Sequence, residues 1–263
     1  MSIAAGRNRD FNGVYMHRQI YYAVTDSTNE RLKALADEAE NGLVAVAGEQ
    51  TAGKGRIGRK WQSQPGQGAW FSVLLKDERL NAQNVPGVVF VCALAAARSL
   101  NRLCQESGFA IKWPNDIVHG GKKICGILCE SGMSGDTLQY AVAGIGINLK
   151  AESFGSELPW AASVRSETGF DLDADAVIGA FLNEFDIAME QMYNYRLSGI
   201  LDRIRPLSAT LGRMVRAENG ENSFTGTAED FGPDGSLIIR DLDGIQHTVH
   251  AGDVSVRGVM GYV

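Results

Sequence analysis

The fold is decided by residues 111–149, which read IKWPNDIVHGGKKICGILCESGMSGDTLQYAVAGIGINL. Two turn signals, Gly120-Gly121 and Ser134-Gly135-Asp136, separate apolar stretches rich in β-branched residues. Paired glycines are typical of a tight hairpin because they readily adopt the positive φ angles of such turns. We therefore expect neighbouring antiparallel strands, over residues 117–118, 124–129 and 138–149.

The segment before these hairpins predicts both helices and strands. Apolar residues follow Ser27 at helical spacing, Ser27 and Glu30 fit a capping box, and Asn41-Gly42 is a helix-ending signal. The Ala-rich stretch 88–103 predicts a buried helix. Short strands are expected over residues 20–24, 43–48 and 69–75.

The last third of the chain predicts two helices followed by short strands. Apolar residues recur every fourth position between 177 and 189, which predicts a helix over 174–195, and a further helix is expected over 197–207. From Gly212 onward, short alternating strands are typical of a small β-barrel. Their turns are Asn219-Gly220, Gly232-Pro233-Asp234-Gly235 and Asp243-Gly244. The predicted division is a flexible lead-in (1–18), a main domain (19–208) and a C-terminal barrel (209–263).

The charge of the chain favours an anionic small ligand over nucleic acid. The net charge of the 263 residues is −6, which disfavours general nucleic-acid binding. Residues 1–150 carry 17 basic and 13 acidic side chains, whereas residues 151–263 carry 8 and 18. A positive front half suits an anionic ligand, although such asymmetry also occurs without function.

Other patterns exclude whole classes of protein. The longest apolar run, 85–97, is too short to span a bilayer, and the N-terminus lacks the apolar core of a signal peptide. We therefore expect a cytoplasmic protein without a membrane partner. The four cysteines lack Cys-x-x-Cys spacing, so reduced buried thiols are favoured over a zinc site: Cys92, Cys104, Cys125 and Cys129.

The most informative short stretch is residues 53–61, Gly-Lys-Gly-Arg-Ile-Gly-Arg-Lys-Trp, which we call the glycine loop. Its glycines let backbone N–H groups approach an anion, and its four basic residues would neutralise that anion. The alternative is an exposed basic turn. A Walker A site is excluded because Gly55 stands where Ser or Thr is needed, and a dinucleotide fingerprint is excluded because no helix follows.

Five motifs follow one another along the chain: Asp26-Ser27-Thr28-Asn29, the glycine loop, Lys112-Trp113-Pro114-Asn115-Asp116, Lys123-x-x-Gly126-Ile127-Leu128 and Gly144-Ile145-Gly146-Ile147-Asn148. In this order and spacing they resemble the biotin–protein ligases, in the form without an N-terminal DNA-binding domain. The match runs from about residue 20 to the C-terminus, and Lys-Trp-Pro-Asn-Asp is its rarest element.

The resemblance implies both a fold and a reaction. The fold is an α+β catalytic domain of the class II aminoacyl-tRNA synthetase/biotin ligase type, with a mixed β-sheet flanked by helices, plus a small SH3-like β-barrel. In the reaction, biotin and MgATP form biotinyl-5′-AMP, and a lysine of a biotin carboxyl carrier protein, from acetyl-CoA carboxylase or a related enzyme, takes the biotin. Neither a bound prosthetic group nor zinc is implied. About twenty residues precede the motifs, so no direct DNA binding is expected; a homodimer is an open alternative to a monomer.

The resemblance also assigns site residues. The catalytic residues are Lys123, Arg56 and Asp116, with Asp116 also proposed as a magnesium ligand. The biotin-binding residues are Ser27, Thr28, Asn29, Gln50, Gly53, Lys54, Gly55, Arg56, Lys123 and Gly126. The residues for ATP or the adenylate are Arg56, Arg59, Trp61, Asn115, Lys123 and Asn148.

Several of these residues also have ordinary structural explanations. Ser27 could be a plain helix cap, Trp61 a core residue and Asn148 a turn residue at a strand end. Lys123 could be a surface lysine beside a hairpin. Lys112 is expected to support the glycine loop rather than to perform chemistry.

One departure from the family bears on ligand retention. The family usually has arginine where this chain has Lys54, and lysine lacks the planar two-pronged donor.

Three rival functions remain open. The strongest rival is a lipoate or octanoate ligase, which shares the fold but favours a different motif. A transcriptional regulator would need more chain before the motifs, and a non-catalytic biotin-binding module would have lost residues that are present here.

Overall fold

The larger of the two sheets is mixed and has seven strands. The structure is a computed structural model and describes residues 17–263 except 220–221, 252–254 and 260. Most of the predicted lead-in therefore lies outside the described residues. The strands are β1 (Gln19–Thr25), β2 (Val44–Gln50), β3 (Gly68–Leu75), β4 (Ala110–Lys112), β5 (Asp116–His119), β6 (Lys122–Ser134) and β7 (Thr137–Asn148). Their order in the sheet is β1-β2-β3-β7-β6-β5-β4, with β1 and β2 parallel and the other neighbours antiparallel.

The hairpins expected from residues 111–149 are present. Gly120 and Gly121 join β5 to β6 with φ angles of 56° and 79°, and Gly135 turns β6 into β7 with a φ of 56°. Strands β6 and β7 pair along most of their length, from Cys125 opposite Ile147 to Ser134 opposite Thr137. This long hairpin is the centre of the sheet, and it carries residues of two predicted motifs.

The two faces of the central hairpin have different roles. Cys125, Ile127, Ile145 and Ile147 belong to the main core with helices α2 (Val88–Leu103) and α4 (Ala174–Ile204). The alternate positions, which include Gly144 and Gly146, therefore face the opposite side, because side chains of a strand alternate between faces. On that side α1 (Thr28–Leu35) packs in a separate cluster with residues of β2, β3 and β7.

Helix α2 is buried, as its composition predicted. With its preceding turn the helix spans Val85–Leu103, which is long and apolar enough, by length and composition alone, to cross a membrane. The expectation that this segment is too short rested on the apolar run 85–97, and the helix extends beyond that run. The structure instead places it between the sheet and α4, with most of its side chains in the main core. Small alanines at 93 and 95–97 are fully buried.

Helix α4 is interrupted where the sequence predicted a break between two helices. Arg196 has a φ of 60° and a ψ of −177°, so the helical path is broken there. Asp173 caps the start of α4 through its side chain, which accepts from the Ala176 amide. A short helix that the sequence did not predict, α3 (Val164–Thr168), precedes it.

The predicted capping box of α1 is wrong. Ser27 is the N-cap residue, but its side chain makes no capping hydrogen bond. Its amide donates to Asp26 Oδ1 at 2.7 Å, and the Glu30 carboxylate instead pairs with Lys33 and Lys54. The helix also ends at Leu35, well before the Asn41-Gly42 signal. Neighbouring charges have therefore replaced the local capping contacts.

The C-terminal region forms a five-stranded antiparallel sheet, consistent with the expected SH3-like domain. Its strands are β8 (Met214–Asn219), β9 (Asn222–Phe231), β10 (Leu237–Asp241), β11 (Gln246–Val249) and β12 (Ser255–Gly258). Their order in the sheet is β11-β10-β9-β8-β12. The turn predicted at Asn219-Gly220 lies partly outside the described residues. The division of the chain between residues 208 and 209 stays a prediction.

The Lys-Trp-Pro-Asn-Asp segment joins the two sheets. The Trp113 amide donates to Thr210 Oγ1 at 2.9 Å, and its indole N–H donates to the Gly235 carbonyl at 2.9 Å. Lys112 Nζ donates to the Val256 carbonyl in β12 at 2.8 Å. Lys112 therefore supports the C-terminal sheet, and not the glycine loop as expected.

His17 fastens the start of the described chain to the core. Its ring nitrogens lie 2.9 Å from the Gly42 carbonyl and 2.8 Å from Asp186 Oδ1 on α4, and the Asp186 side chain is buried. Burial opposes protonation of the imidazole, but the hydrogen bond and charge of Asp186 outweigh it and raise the pKa of His17 above its usual value.

The charged His17 should stabilise the protein only at low pH. Because the folded-state pKa is raised, the contribution is complete below the unfolded pKa and is lost as pH rises through the folded pKa. We expect His17→Gln to lower the free energy of unfolding by about 1–2 kcal/mol at pH 6 and by much less at pH 9. Urea melts at both pH values measure this; His250→Gln, on a largely exposed histidine, is the control. Equal losses at the two pH values would contradict the charged-imidazole account.

Candidate active site

A cavity opens on the α1 side of the large sheet, where the predicted motifs converge. Fourteen of the fifteen predicted site residues line it, and the C-terminal region adds Val256, Arg257 and Tyr262 to the lining. The exception is Gly53, which borders an adjoining depression on the outer side of the glycine loop. A Cβ atom at Gly53 would lie 2.5 Å from the Trp61 carbonyl, so this glycine permits the loop to fold closely on itself.

The floor of the cavity is a pair of glycines under an indole ring. Gly126 of β6 lies directly opposite Gly146 of β7. A Cβ atom would approach Trp61 Cζ3 to 2.7 Å at Gly126 and Trp61 Nε1 to 2.5 Å at Gly146. Trp61 also meets Trp70 edge to face, with ring centroids 6.2 Å apart. Side chains on either glycine would displace the indole.

Buried polar groups form one end of the cavity. Gln50 Oε1 accepts from the Thr28 amide at 2.8 Å and from Thr28 Oγ1 at 3.1 Å, while Gln50 Nε2 donates to Ser63 Oγ at 3.0 Å. Asn29 Nδ2 donates to Glu130 Oε2 at 2.7 Å, and Asn29 Oδ1 lies 2.6 Å from Ser72 Oγ. The predicted residues Thr28, Asn29 and Gln50 therefore share one network.

The sequence did not single out Ser72 or Ser63, which complete this network. Ser72 is fully buried in β3 and also lies 2.7 Å from Thr28 Oγ1. A serine in an apolar strand was the available signal. Ser27 lines the cavity beside Thr28, and because its hydroxyl does not cap α1 it can serve a ligand.

The glycine loop contacts α1 and the Lys-Trp-Pro-Asn-Asp segment through its basic side chains. Lys54 Nζ lies 2.7 Å from Glu30 Oε1, and Arg56 Nη1 donates to Asn115 Oδ1 at 3.0 Å. Asn115 Nδ2 donates in turn to the Ile127 carbonyl of β6 at 2.7 Å. The loop contains a single turn at Arg56–Gly58, with a φ of 56° at Ile57. The loop is therefore organised around cations.

Lys123 and Asp116 form an ion pair beside the indole of Trp61. Lys123 Nζ lies 2.6 Å from Asp116 Oδ1 and 5.3 Å from the centre of the Trp61 ring. Asp116 Oδ2 accepts from the Tyr262 hydroxyl at 2.5 Å. Burial opposes ionisation of Asp116, but Lys123 and Lys112 outweigh it and hold the pKa of that carboxyl below its usual range. Lys123 is thus a cavity residue and not a surface lysine.

Lys112 is a second buried amine near the same carboxylate. Burial lowers the pKa of Lys112 to about 8, against the attraction of Asp116. Its Nζ also lies 4.4 Å from the centre of the Tyr262 ring. This arrangement fixes the Lys-Trp-Pro-Asn-Asp segment against the C-terminal sheet.

The far end of the cavity contains aromatic residues that sequence reasoning missed. Trp160 stacks on Tyr262, with ring centroids 5.9 Å apart and planes at 6°, and the Arg257 guanidinium lies 5.6 Å from the Trp160 ring centre. The predicted Asn148 lies at this end, where its Nδ2 donates to the Ala162 carbonyl at 3.0 Å. Trp160 follows β7 in an irregular segment and Tyr262 follows β12, so no motif marked either residue.

The charges around the cavity favour an anion strongly. Among the residues that the structure describes, Asp116 is the only acidic one lining it, against seven basic ones: Lys54, Arg56, Arg59, Lys60, Lys112, Lys123 and Arg257. The Trp61 indole N–H is also buried and has no acceptor among the described residues. A ligand that combines negative charge with an aromatic ring system fits these groups.

Metal binding by Asp116 stays a prediction. Within the described part of the chain no three His, Cys, Asp or Glu side chains lie close enough to hold a metal together. Both oxygens of Asp116 already have partners, Lys123 and Tyr262. A magnesium ion would therefore need ligands brought by its nucleotide.

Comparison with known proteins accounts for this arrangement. The sequence model of the Biotin/lipoate A/B protein ligase family matches residues 21–148, and that of the Biotin protein ligase C terminal domain matches residues 210–257. Biotin protein ligase from Aquifex aeolicus, solved in complex with biotin and ATP, is similar in structure. Its TM-score is 0.79 at 30% identity, over 91% of this chain and 98% of that one.

Curated relatives agree. The biotin–[acetyl-CoA-carboxylase] ligase of Paracoccus denitrificans is 34% identical over 229 residues, covering 85% of this chain and 95% of that protein. The bifunctional ligase/repressor BirA of Bacillus subtilis is 30% identical over 243 residues, covering 90% of this chain and 73% of that protein. On these matches, the chain belongs to the biotin protein ligase family of enzymes.

Proposed function

We propose that this enzyme activates biotin as biotinyl-5′-AMP and transfers the biotin to a lysine of a biotin carboxyl carrier protein. The observation that carries the proposal is the position of Lys123. Lys123 lines the same cavity as the polar network of Thr28 and Gln50, and its amine lies 5.3 Å from the centre of the Trp61 ring. An acyl phosphate that joins biotin to AMP would be centred on that amine.

The first step requires two anions to meet. A carboxylate oxygen of biotin attacks the α-phosphorus of ATP, the bond from that phosphorus to the bridging oxygen of pyrophosphate breaks, and pyrophosphate leaves. The repulsion between carboxylate and triphosphate must be offset by fixed positive charge. Lys123, Arg56 and Arg59 supply that charge in our proposal, and magnesium enters with the nucleotide as MgATP.

The two ends of the cavity suit the two halves of the adenylate. Thr28, Gln50 and the uncommitted Ser27 hydroxyl offer both donors and acceptors for the ring of biotin. The buried indole of Trp61 offers a flat face to adenine, and Asn148 offers an amide to its edge. In ligand pockets, aromatic side chains commonly provide most of the contact surface and a few polar groups fix the orientation of the ligand.

In the second step the carrier lysine attacks the acyl carbon, the bond from that carbon to the phosphate oxygen breaks, and AMP leaves. Lys123 neutralises the phosphate as it departs. The lowered pKa of Asp116 makes it a weak base, so we assign it the orientation of Lys123 and not removal of the proton from the carrier amine.

Pyrophosphate exchange tests this proposal. Purified protein is incubated with MgATP, labelled pyrophosphate and one of three acids: biotin, lipoate or octanoate. The rate at which label enters ATP is compared among the three acids. We expect exchange with biotin alone, followed by AMP release when a biotin carboxyl carrier domain is added. Exchange with lipoate or octanoate instead would assign the chain to the sister activity, and no exchange with any acid would contradict the ligase proposal.

The lysine at position 54 should weaken retention of the adenylate. Lys54 is half exposed and is held by Glu30, whereas a guanidinium could bind a carboxylate or phosphate through two parallel bonds. We expect Lys54→Arg to slow release of biotinyl-5′-AMP by about threefold to tenfold. Release into a chase of unlabelled ligand measures the rate. Lys60→Arg, in the same loop, is the control: an equal slowing there, or none at position 54, would refute the role of this position.

A further inference from the structure

Tyr262 joins the C-terminal sheet to the ion pair in the large sheet. It follows β12, yet its hydroxyl donates to Asp116 Oδ2 at 2.5 Å. Asp116 Oδ1 lies 2.6 Å from Lys123 Nζ. The two carboxylate oxygens therefore have one partner each, and the carboxylate is held from both sides.

The ring of Tyr262 is itself fixed by two contacts. It stacks on Trp160 with the planes at 6°, and Lys112 Nζ lies 4.4 Å from its centre. The backbone of Trp160 is tied to Lys123, because the Lys123 amide donates to the Trp160 carbonyl at 2.6 Å. These contacts of Tyr262 are therefore made with residues that themselves interact with Lys123 or with the Asp116 carboxylate.

We infer that Tyr262 is a positioning residue, whose hydroxyl orients Asp116 so that Lys123 is held at the acyl-phosphate junction. This inference rests on the proposed function for the position of that junction. Loss of the hydroxyl frees the carboxylate to rotate, and the amine of Lys123 then loses its fixed place. Charged hydrogen bonds between buried groups have the strength to impose such geometry.

The charged groups around this contact come from several elements. Asp116 is faced by Lys112 of β4, by Lys123 of β6 and by the Tyr262 hydroxyl. The Tyr262 hydroxyl is also near Arg59 of the glycine loop and Arg257 of β12. Burial and the Asp116 carboxylate raise the pKa of Tyr262 above its usual value, against the opposing effect of the two arginines, so the phenol stays protonated and donates to that carboxylate.

Two substitutions separate the hydroxyl from the ring. Tyr262→Phe keeps the stacking on Trp160 and the contact with Lys112 but removes the donor. We expect kcat for biotin-dependent pyrophosphate exchange to fall about tenfold, with the KM for ATP within about twofold of the original. Tyr262→Ala removes the ring as well, and should also raise the KM for ATP.

If Tyr262 had only a structural role, the Tyr262→Phe variant would give a different result. Phenylalanine would then restore the original kcat and thermal stability, because it fills the same space. That result, in an enzyme whose original form exchanges pyrophosphate with biotin, would overturn the inference and leave the proposed function intact. Tyr195→Phe, on a tyrosine that is 66% exposed on α4, is the matched control.

A measurement without substrates tests the contact independently of the proposed function. The hydroxyl proton of a buried tyrosine that donates to a carboxylate should be protected from exchange and appear downfield in proton NMR spectra. We expect one such resonance, lost in Tyr262→Phe and in Asp116→Asn and kept in Tyr195→Phe. Its absence from the unsubstituted protein would overturn the inference whatever the exchange assay gives.

Discussion

Replacing Lys123 with methionine should lower kcat for adenylation by about 10²- to 10³-fold, the range seen when one preorganised charge-stabilising group is removed. Methionine keeps the length and bulk of the stem but lacks the amine that faces Asp116 Oδ1 at 2.6 Å. In the proposed reaction the transition state brings carboxylate and phosphate charge together beside this amine, so the loss should affect kcat more than the KM for biotin. Single-turnover formation of biotinyl-5′-AMP measures it.

The neighbouring lysine is a matched control. Lys122 precedes Lys123 in β6, but its amine is exposed and pairs with Glu167 at 2.9 Å, outside the cavity. Lys122→Met should therefore keep adenylation within about twofold. Melting curves for both variants show that they are folded, and a comparable loss of adenylation in the two would contradict the assignment of Lys123.

Replacing Gly146 with valine should lower kcat/KM for ATP by about 100-fold, because the side chain would occupy the place of the Trp61 indole. Even a single Cβ atom at Gly146 would lie 2.5 Å from Trp61 Nε1. Displacing the indole removes the proposed stacking face for adenine, whereas the polar network around Thr28 and Gln50 is left in place. The KM for biotin should therefore change much less than the KM for ATP.

A double-mutant cycle tests whether Gly146 acts through the indole. If it does, adding Gly146→Val to Trp61→Ala should cost little beyond the loss from Trp61→Ala alone. Kinetics of the two single variants and the double variant, with ATP varied, give the coupling. Fully additive losses would show that the glycine matters for another reason, such as the pairing of β6 with β7.

Most strands of the large sheet could be predicted because hairpin turns are determined by residues that are adjacent in the sequence. The paired glycines at 120 and 121 fixed one hairpin, and both have the positive φ angles that such a turn needs. The capping box at Ser27 failed for a non-local reason: Glu30 is drawn to Lys54, twenty-four residues away, and Asp26 takes the amide that Glu30 would have taken. Helix propensity does not record such competing partners.

The motifs predicted one end of the site better than the other. The polar end and the glycine loop are carried by motif residues, so their shared cavity followed from the resemblance. Trp160, Arg257 and Tyr262 reach the cavity from an irregular segment and from the second sheet, where sequence spacing gives no distance information. Lys112 was misassigned for the same reason, because its partner is a backbone carbonyl 144 residues later.

The long separation between Asp116 and Tyr262 has a consequence for how the enzyme matures on the ribosome. Partners of Lys112 and Asp116 lie 144 and 146 residues further along the chain, at Val256 and Tyr262. Domains of a nascent chain fold in order of synthesis, so the large sheet can form while these partners are still in the exit tunnel. A stalled or incomplete translation product would then hold the cavity of the large sheet without the Tyr262 contact to Asp116. If Tyr262 positions Lys123 as inferred, competence for the proposed activation of biotin would arise only after β12 and Tyr262 have left the tunnel.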